Sequence, residues 1–232
     1  MKNGRLYGVG VGPGDPELIT LKAIKTIKNC SKICIPNSGA GENVALEIVR
    51  KAIGEIDNNK IIEVNMPMTR DEDLLNYSHD IAANTLIDIM KNGEDIAFLT
   101  LGDPSIYSTY IYIHYRVLER GFDAMMIPGV PSFCAVAARL NQGLVESGEA
   151  LHIIPASYNG TDEGLNFSGC KVLMKTGKKL PKVINMLKEK GLINSTKMVE
   201  KCGMIGERVY ENLDEIDSSL SYFSTIIVKD KE

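Results

Sequence analysis

"GVGVGPGDPELITLKA" (residues 8–23) places four glycines and a proline between an apolar, strand-like start and a helical continuation. A strand, a tight glycine turn and a helix in that order are the opening of an α/β unit. The turn is not a nucleotide-phosphate grip. The pattern G-x-G-x-x-G fails from Gly8, where the last position is Pro13, and from Gly10, where it is Asp15. No Gly-Lys-Ser/Thr follows either. Asp15 and Glu17 stand where the next helix begins, so they complement its positive end and repel an anion there. A purely structural turn and a close backbone approach to some other ligand both remain open from these residues alone.

Working outward, strands alternate with helices. Strands are expected at 5–11, 32–36, 60–64, 95–102 and 122–129. Helices are expected at 16–30, 43–53, 71–93, 106–121 and 132–140. The 16–30 helix carries an apolar stripe of Leu18, Leu21, Ile24 and Ile27. Continuous apolar runs such as "IAFLTL" (96–101) predict a parallel sheet covered on both faces. The pattern breaks at "NQGLVESGE" (141–149). Two α/β domains, 1–143 and 149–232, are therefore expected. The second is richer in strand, at 150–156, 171–177, 196–203, near 208–213 and at 222–230. Its helix spans 180–191 and its polar loop 157–169. That balance predicts a mixed sheet.

Composition narrows the function. The chain has 232 residues, 44% hydrophobic and 24% charged, with a net charge of −4 and no lysine-arginine block. Nucleic acid is not the expected partner. No apolar run is long enough to span a membrane, and the start reads as a strand and not a signal peptide. Five scattered cysteines (Cys30, Cys34, Cys134, Cys170, Cys202) read as reduced thiols of a cytoplasmic protein, neither disulfides nor metal ligands. His79, His114 and His152 stand far apart and form no metal-binding pattern. No metal is expected.

Three loops follow apolar strands with Gly and Pro at once: "GPGDP" (12–16), "LGDPSIYSTY" (101–110) and "PGVPSF" (128–133). Ligands of open α/β sheets bind outside the carboxyl ends of strands. The middle loop is the most specific. It joins Asp103 to five hydroxyls, more than helix capping needs.

"GVGVGPGDPELITLKA", "FLTLGDPSIYSTY" and "MIPGVPSFCAVAA" together resemble the tetrapyrrole methylases, the class III S-adenosylmethionine-dependent methyltransferases. "PMTRD" (67–71) and "GDPSIYSTY" resemble one branch of it, the C20-methyltransferases acting on precorrin-2 or cobalt-precorrin-2 in cobalamin biosynthesis. The likeness runs from about Arg5 to Val228. It implies two α/β domains forming a homodimer, with S-adenosyl-L-methionine folded between the domains and the tetrapyrrole in a trough. By the resemblance, Leu101, Gly102, Asp103, Ile106 and Tyr107 hold the cofactor, with Ser132 and Phe133. Pro155, Ala156, Met174 and the run Cys202, Gly203 and Met204 cradle its adenosyl part. Gly12, Pro13, Gly14 and Asp15 floor the tetrapyrrole site. Uroporphyrinogen-type relatives carry an aspartate after the second strand. Here Pro36 and Asn37 stand at that place, so no base is carried over and the catalytic residue is unassigned. Arg50, Arg70, Arg116 and Arg139 are available to substrate carboxylates. Methylation at another ring carbon and a non-catalytic binding module on the same fold remain the competing readings.

Overall fold

The computed structural model describes residues 2–39, 41, 43–213, 216 and 223–230. The chain divides into two compact units, Met1–Pro131 and Ser132–Glu232.

In the first unit the order is β1 (Leu6–Gly10), α1 (Leu21–Asn29), β2 (Lys32–Asn37), α2 (Val44–Ile53), β3 (Ile61–Asn65), α3 (Glu72–Lys91), β4 (Ile96–Thr100), α4 (Tyr110–Glu119) and β5 (Ala124–Ile127). The sheet runs β3-β2-β4-β1-β5, and every pairing is parallel. All five residues of β4 are buried. Alternate side chains point to opposite faces. Ala97 and Leu99 join the cluster built by α1 and α2, while Ile96 and Phe98 join the one built by α3 and α4. The expected doubly covered parallel sheet is therefore present.

This order places a switch point between β1 and β4. The chain leaves β1 toward α1 on one face and leaves β4 toward α4 on the other. The loops after these adjacent strands lead to helices on opposite faces, the place where open α/β sheets bind ligands.

Several elements are shorter than expected. The 16–30 segment is a 3-10 turn at Pro16–Leu18, then α1. Asp15 caps the turn through Glu17 N, and Thr20 caps the helix through Ala23 N, so two starts replace one. Leu21, expected on the apolar stripe, is 77% exposed at the first turn of α1. Pro36 does not end β2, which continues to Asn37; it sits opposite Val64 of β3. α4 begins at Tyr110 and not at residue 106.

The second unit contains α5 (Ser132–Arg139), β6 (Leu151–Pro155), α6 (Thr161–Gly164), β7 (Cys170–Met174), α7 (Leu180–Glu189), β8 (Thr196–Glu200), β9 (Arg208–Tyr210) and β10 (Ser224–Val228). Tyr222, included in the last expected strand, lies outside the described residues. The sheet order is β6-β7-β10-β8-β9. β6 and β7 are parallel, whereas β10 runs antiparallel to β7 and β8, and β9 to β8. The sheet is mixed, as expected. α7 supplies Leu180, Val183 and Leu187 to one core. α5 supplies Val136 and Ala137, with Leu140 just beyond it, to another that contains Cys170, Val199 and Ile227. That packing draws α5 into the second unit, so the division falls at Pro131/Ser132, ahead of the boundary expected between 143 and 149. The polar stretch 141–149 follows the first helix of the second unit.

Candidate functional site

The carboxyl ends of β4, β1 and β5 are tied to one another through glycines. Gly12 N donates to Gly102 O at 3.3 Å, and Gly102 N returns a bond to Gly12 O at 2.7 Å. A Cβ on Gly10 would lie 2.6 Å from both Gly102 O and Gly129 N, so only glycine permits this crossing. Gly12 adds a φ of +84°, a left-handed conformation. Much of the glycine in the opening stretch thus serves the approach of backbone to backbone.

Asp103 completes the knot. Oδ1 accepts from Ser105 N at 2.8 Å and from Ser105 Oγ at 2.5 Å, and Oδ2 accepts from Gly129 N at 2.9 Å. The side chain is buried, and both oxygens are committed to the protein. Ser108 Oγ lies 2.7 Å from Thr100 Oγ1 and accepts from Tyr110 N at 3.1 Å, which starts α4. Of the five hydroxyls, Ser105 thus binds Asp103, Ser108 ties the start of α4 to Thr100, and Tyr110 reaches His114 Nδ1 and Met125 O. Tyr107 holds a φ of 49° and is 38% exposed. Burial of part of its ring raises the phenol pKa. Leu101 and Ile106 are half-buried. Gly12, Pro13 and Gly14 are buried, and Asp15 is half-buried with Oδ1 on Glu17 N at 2.9 Å.

In the second unit β6, β7 and β8 point the same way, so their carboxyl ends share one sheet edge. Ala156 N donates to Met174 O at 2.8 Å, which brings Pro155, Ala156 and Met174 together. Two lysines directly past these ends, Lys175 and Lys201, have φ of 56° and 51°. Left-handed non-glycine residues gather at functional sites more than elsewhere. Burial lowers the Lys175 pKa. The turn at Cys202, Gly203 and Met204 is pinned by Met204 N on Lys201 O and by Gly203 N on Glu207 Oε2, both 2.8 Å. Glu207 also takes Arg139 Nε at 2.5 Å. The Gly203 N–H and then the guanidinium hold its carboxyl below the ordinary range. Ser132 Oγ lies 3.4 Å from Thr225 Oγ1, and Phe133 is buried.

The sequence-predicted residues therefore fall into two groups, 12–15 with 101–107 in one unit and 132–204 in the other. Of the four arginines, Arg50 pairs with Glu47, Arg116 with Asp80, and Arg139 with Glu207. One region was only touched by the sequence reading, which singled out Asn37 and residues 67–71 but not Glu63 or Asn65. A cavity of about 550 Å³ opens at the carboxyl ends of β2 and β3, lined by Asn37, Glu63, Asn65, Pro67 and Met68 among others. Its signal was available in "CIPN" and "IIEVN", apolar strands that end on polar side chains.

Residues 5–217 match the family described as Tetrapyrrole (Corrin/Porphyrin) Methylases. The chain belongs to the tetrapyrrole methylase family. It is 32% identical to a probable cobalt-precorrin-2 C(20)-methyltransferase of Methanocaldococcus jannaschii, over 97% of this chain and 96% of that one. It is 30% identical to the cobalt-precorrin-2 C(20)-methyltransferase of Salmonella typhimurium, over 97% and 96%. Its fold is similar to a solved cobalt precorrin-4 methyltransferase at a TM-score of 0.75 and 18% identity, covering 97% of this chain and 94% of that one. It is also similar to a uroporphyrin-III C-methyl transferase from Thermus thermophilus solved in complex with S-adenyl homocysteine, at a TM-score of 0.69 and 20% identity, covering 98% of both chains. The knotted loops of this tetrapyrrole methylase coincide with the three stretches that carried the sequence resemblance.

Proposed function

We propose that this tetrapyrrole methylase transfers a methyl group from S-adenosylmethionine to C20 of precorrin-2 or its cobalt complex, in cobalamin biosynthesis. The observation that carries the reading is identity of 30% and above, over nearly the whole chain, to two proteins named for that reaction. The donor's sulfonium makes its methyl electrophilic without help. The chain's task is then alignment, and positioning of this kind lowers a barrier by roughly 7–11 kcal/mol.

The donor set suits S-adenosylmethionine better than a phosphate ligand. No lysine or arginine occurs in 8–16, 101–110 or 128–133. Glycine backbone and the side chains of Leu101, Ile106, Met174 and Met204 are compatible with an adenosyl group and a thioether. We assign the donor to Leu101, Gly102, Asp103, Ile106 and Tyr107 in the first unit. In the second unit we assign it to Ser132, Phe133, Pro155, Ala156, Met174, Gly203 and Met204. Asp103 serves there by shaping the loop, since its oxygens are occupied. Gly12, Pro13, Gly14 and Asp15 are assigned to the floor of the tetrapyrrole site.

The reading takes the enzyme as cytoplasmic and as a homodimer. Among the described residues no helix is long and apolar enough to cross a membrane. An exposed stripe of Leu74, Tyr77 and Ile81 on α3 supports an interface with a second copy. Sedimentation velocity tests this, and a single monomeric species at assay concentration overturns it.

The deciding experiment incubates the protein with S-adenosylmethionine and either precorrin-2 or its cobalt form. A product one methyl heavier, with the new carbon at C20 by NMR, is expected. Transfer to another carbon, or none, overturns the reading. Gly102, at φ 71°, tests the donor loop. Gly102→Val is expected to weaken S-adenosylhomocysteine binding at least tenfold, about 1.4 kcal/mol.

A further inference from the structure

Replacing a ring hydrogen by a methyl group expels a proton, and the chain must offer it an acceptor. We propose that the acceptor is Glu63, through Oε1, in the cavity at the ends of β2 and β3. The proposal rests on the reading of the chain as a C-methyltransferase of a tetrapyrrole. The new carbon–carbon bond takes the ring's electron pair, and the methyl–sulfur pair stays on sulfur. The ring carbon then carries both methyl and hydrogen. Glu63 Oε1 takes the proton, and the carbon–hydrogen pair returns to the ring and restores its conjugation.

Among the carboxylates near the carboxyl edge of the first sheet are Asp103, Asp15, Asp71 and Glu63. Asp103 has both oxygens engaged. Asp15 caps the 3-10 turn and Asp71 caps α3, each through Oδ1 to a backbone N–H. Both carboxylates are thereby engaged in capping. Glu63 differs in setting. Its Oε2 accepts from Asn37 Nδ2 at 2.9 Å, and Asn37 Oδ1 in turn accepts from Gly39 N at 2.8 Å. The carboxylate is thus oriented by a neutral amide that is itself fixed by backbone, the arrangement of a base steered by a third group. Oε1 carries no hydrogen bond among the described residues. No lysine or arginine lines the cavity, so no ion pair occupies the carboxylate there. The cavity volume of about 550 Å³ is ample for part of a large ring.

Position fits as well. The methyl group enters and the proton leaves on opposite faces of the ring carbon, so their protein partners stand on opposite sides of it. β3 is two strands from β4, roughly 10 Å at the usual spacing. That places Glu63 beyond β2 from the loop assigned to the donor.

The test compares wild type with Glu63→Gln and Glu63→Asp. Tetrapyrrole substrate is used with hydrogen or deuterium on the accepting carbon, and circular dichroism confirms folding. Removing a general base costs roughly 10²–10⁴-fold. Single-turnover transfer by Glu63→Gln is expected to fall by that range and to acquire a primary isotope effect larger than that of wild type. Glu63→Asp is expected to recover part of the rate. Calorimetry with S-adenosylhomocysteine is expected to give wild-type affinity for both variants. Asn37→Ala, which frees the carboxylate and releases Gly39 N but keeps Glu63, is expected to give a smaller loss of rate. A Glu63→Gln variant that keeps wild-type turnover, or slows without any isotope effect, overturns the assignment while leaving the enzyme's reaction intact. A wild-type protein that methylates neither ring overturns both.

Discussion

At the scale of single residues, Asp103 shows how a carboxylate in the loop proposed for the donor can be spent on the protein itself. Its carboxylate joins the loop after β4 to the loop after β5 through Gly129 N. Asp103→Asn keeps an acceptor for Ser105 but turns an amide N–H toward that donor. A hydrogen bond to a charged group contributes about 1.5–3 kcal/mol. The variant is expected to lose that much stability in urea unfolding, and a wild-type midpoint would show that the carboxylate does not hold the loops. The thiols give a second residue-level expectation. Burial, with a smaller push from Asp95, raises Cys30 to about 12, and burial alone raises Cys34. Cys134 is exposed. Partial burial raises Cys134 as well, but its thiol is exposed, so an aromatic disulfide reagent at neutral pH should label it well ahead of Cys30 and Cys34. Cys30 and Cys34 should react only on unfolding; fast labelling of either would contradict their burial.

At the scale of elements, the α3–α4 layer carries two buried histidines. His79 stacks on Tyr112 with ring centroids 4.9 Å apart, and His114 Nδ1 lies 2.9 Å from Tyr110 Oη. Burial lowers both pKa values below 6.5; at His79 the Arg116 guanidinium adds to this and Asp80 opposes it. A histidine whose folded pKa is depressed stabilises fully above its unfolded pKa. That contribution is lost as pH falls below 6.5 and through the folded values. Urea unfolding should therefore weaken over that window, and replacing both histidines by glutamine should flatten the slope. An unchanged slope would mean the rings are not buried neutral. The helices themselves were legible, because 3.6-residue periodicity and caps such as Asp71 are local. Their starts were less so. α4 opens at Tyr110 and not at residue 106 because Tyr107 turns left-handed and Ser108 bonds back to Thr100. Neither is visible in propensity.

At the scale of the whole molecule, α5 decides where the chain divides. Val136 and Leu140 are buried with Val199 and Ile227, and each such side chain gains about 1.5–3 kcal/mol by burial. A fragment of residues 132–232 should thus keep more cooperative unfolding than one of residues 149–232, measured by circular dichroism during urea titration. Equal behaviour would remove α5 from that core. The sequence by itself determined the class of fold and the family. Alternation of strand and helix, continuous apolar strands and glycine turns are written in neighbouring residues, and they were read at 8–23, 96–101 and 128–133. It also marked most of the loops that reach the carboxyl ends of the strands. Only the tertiary structure decided what those loops touch. Asp103 meets Gly129, Arg139 meets Glu207 and Asn37 meets Glu63. Each pair joins residues far apart in the chain, and local propensity carries no information about a partner that arrives only when separate strands pair and pack.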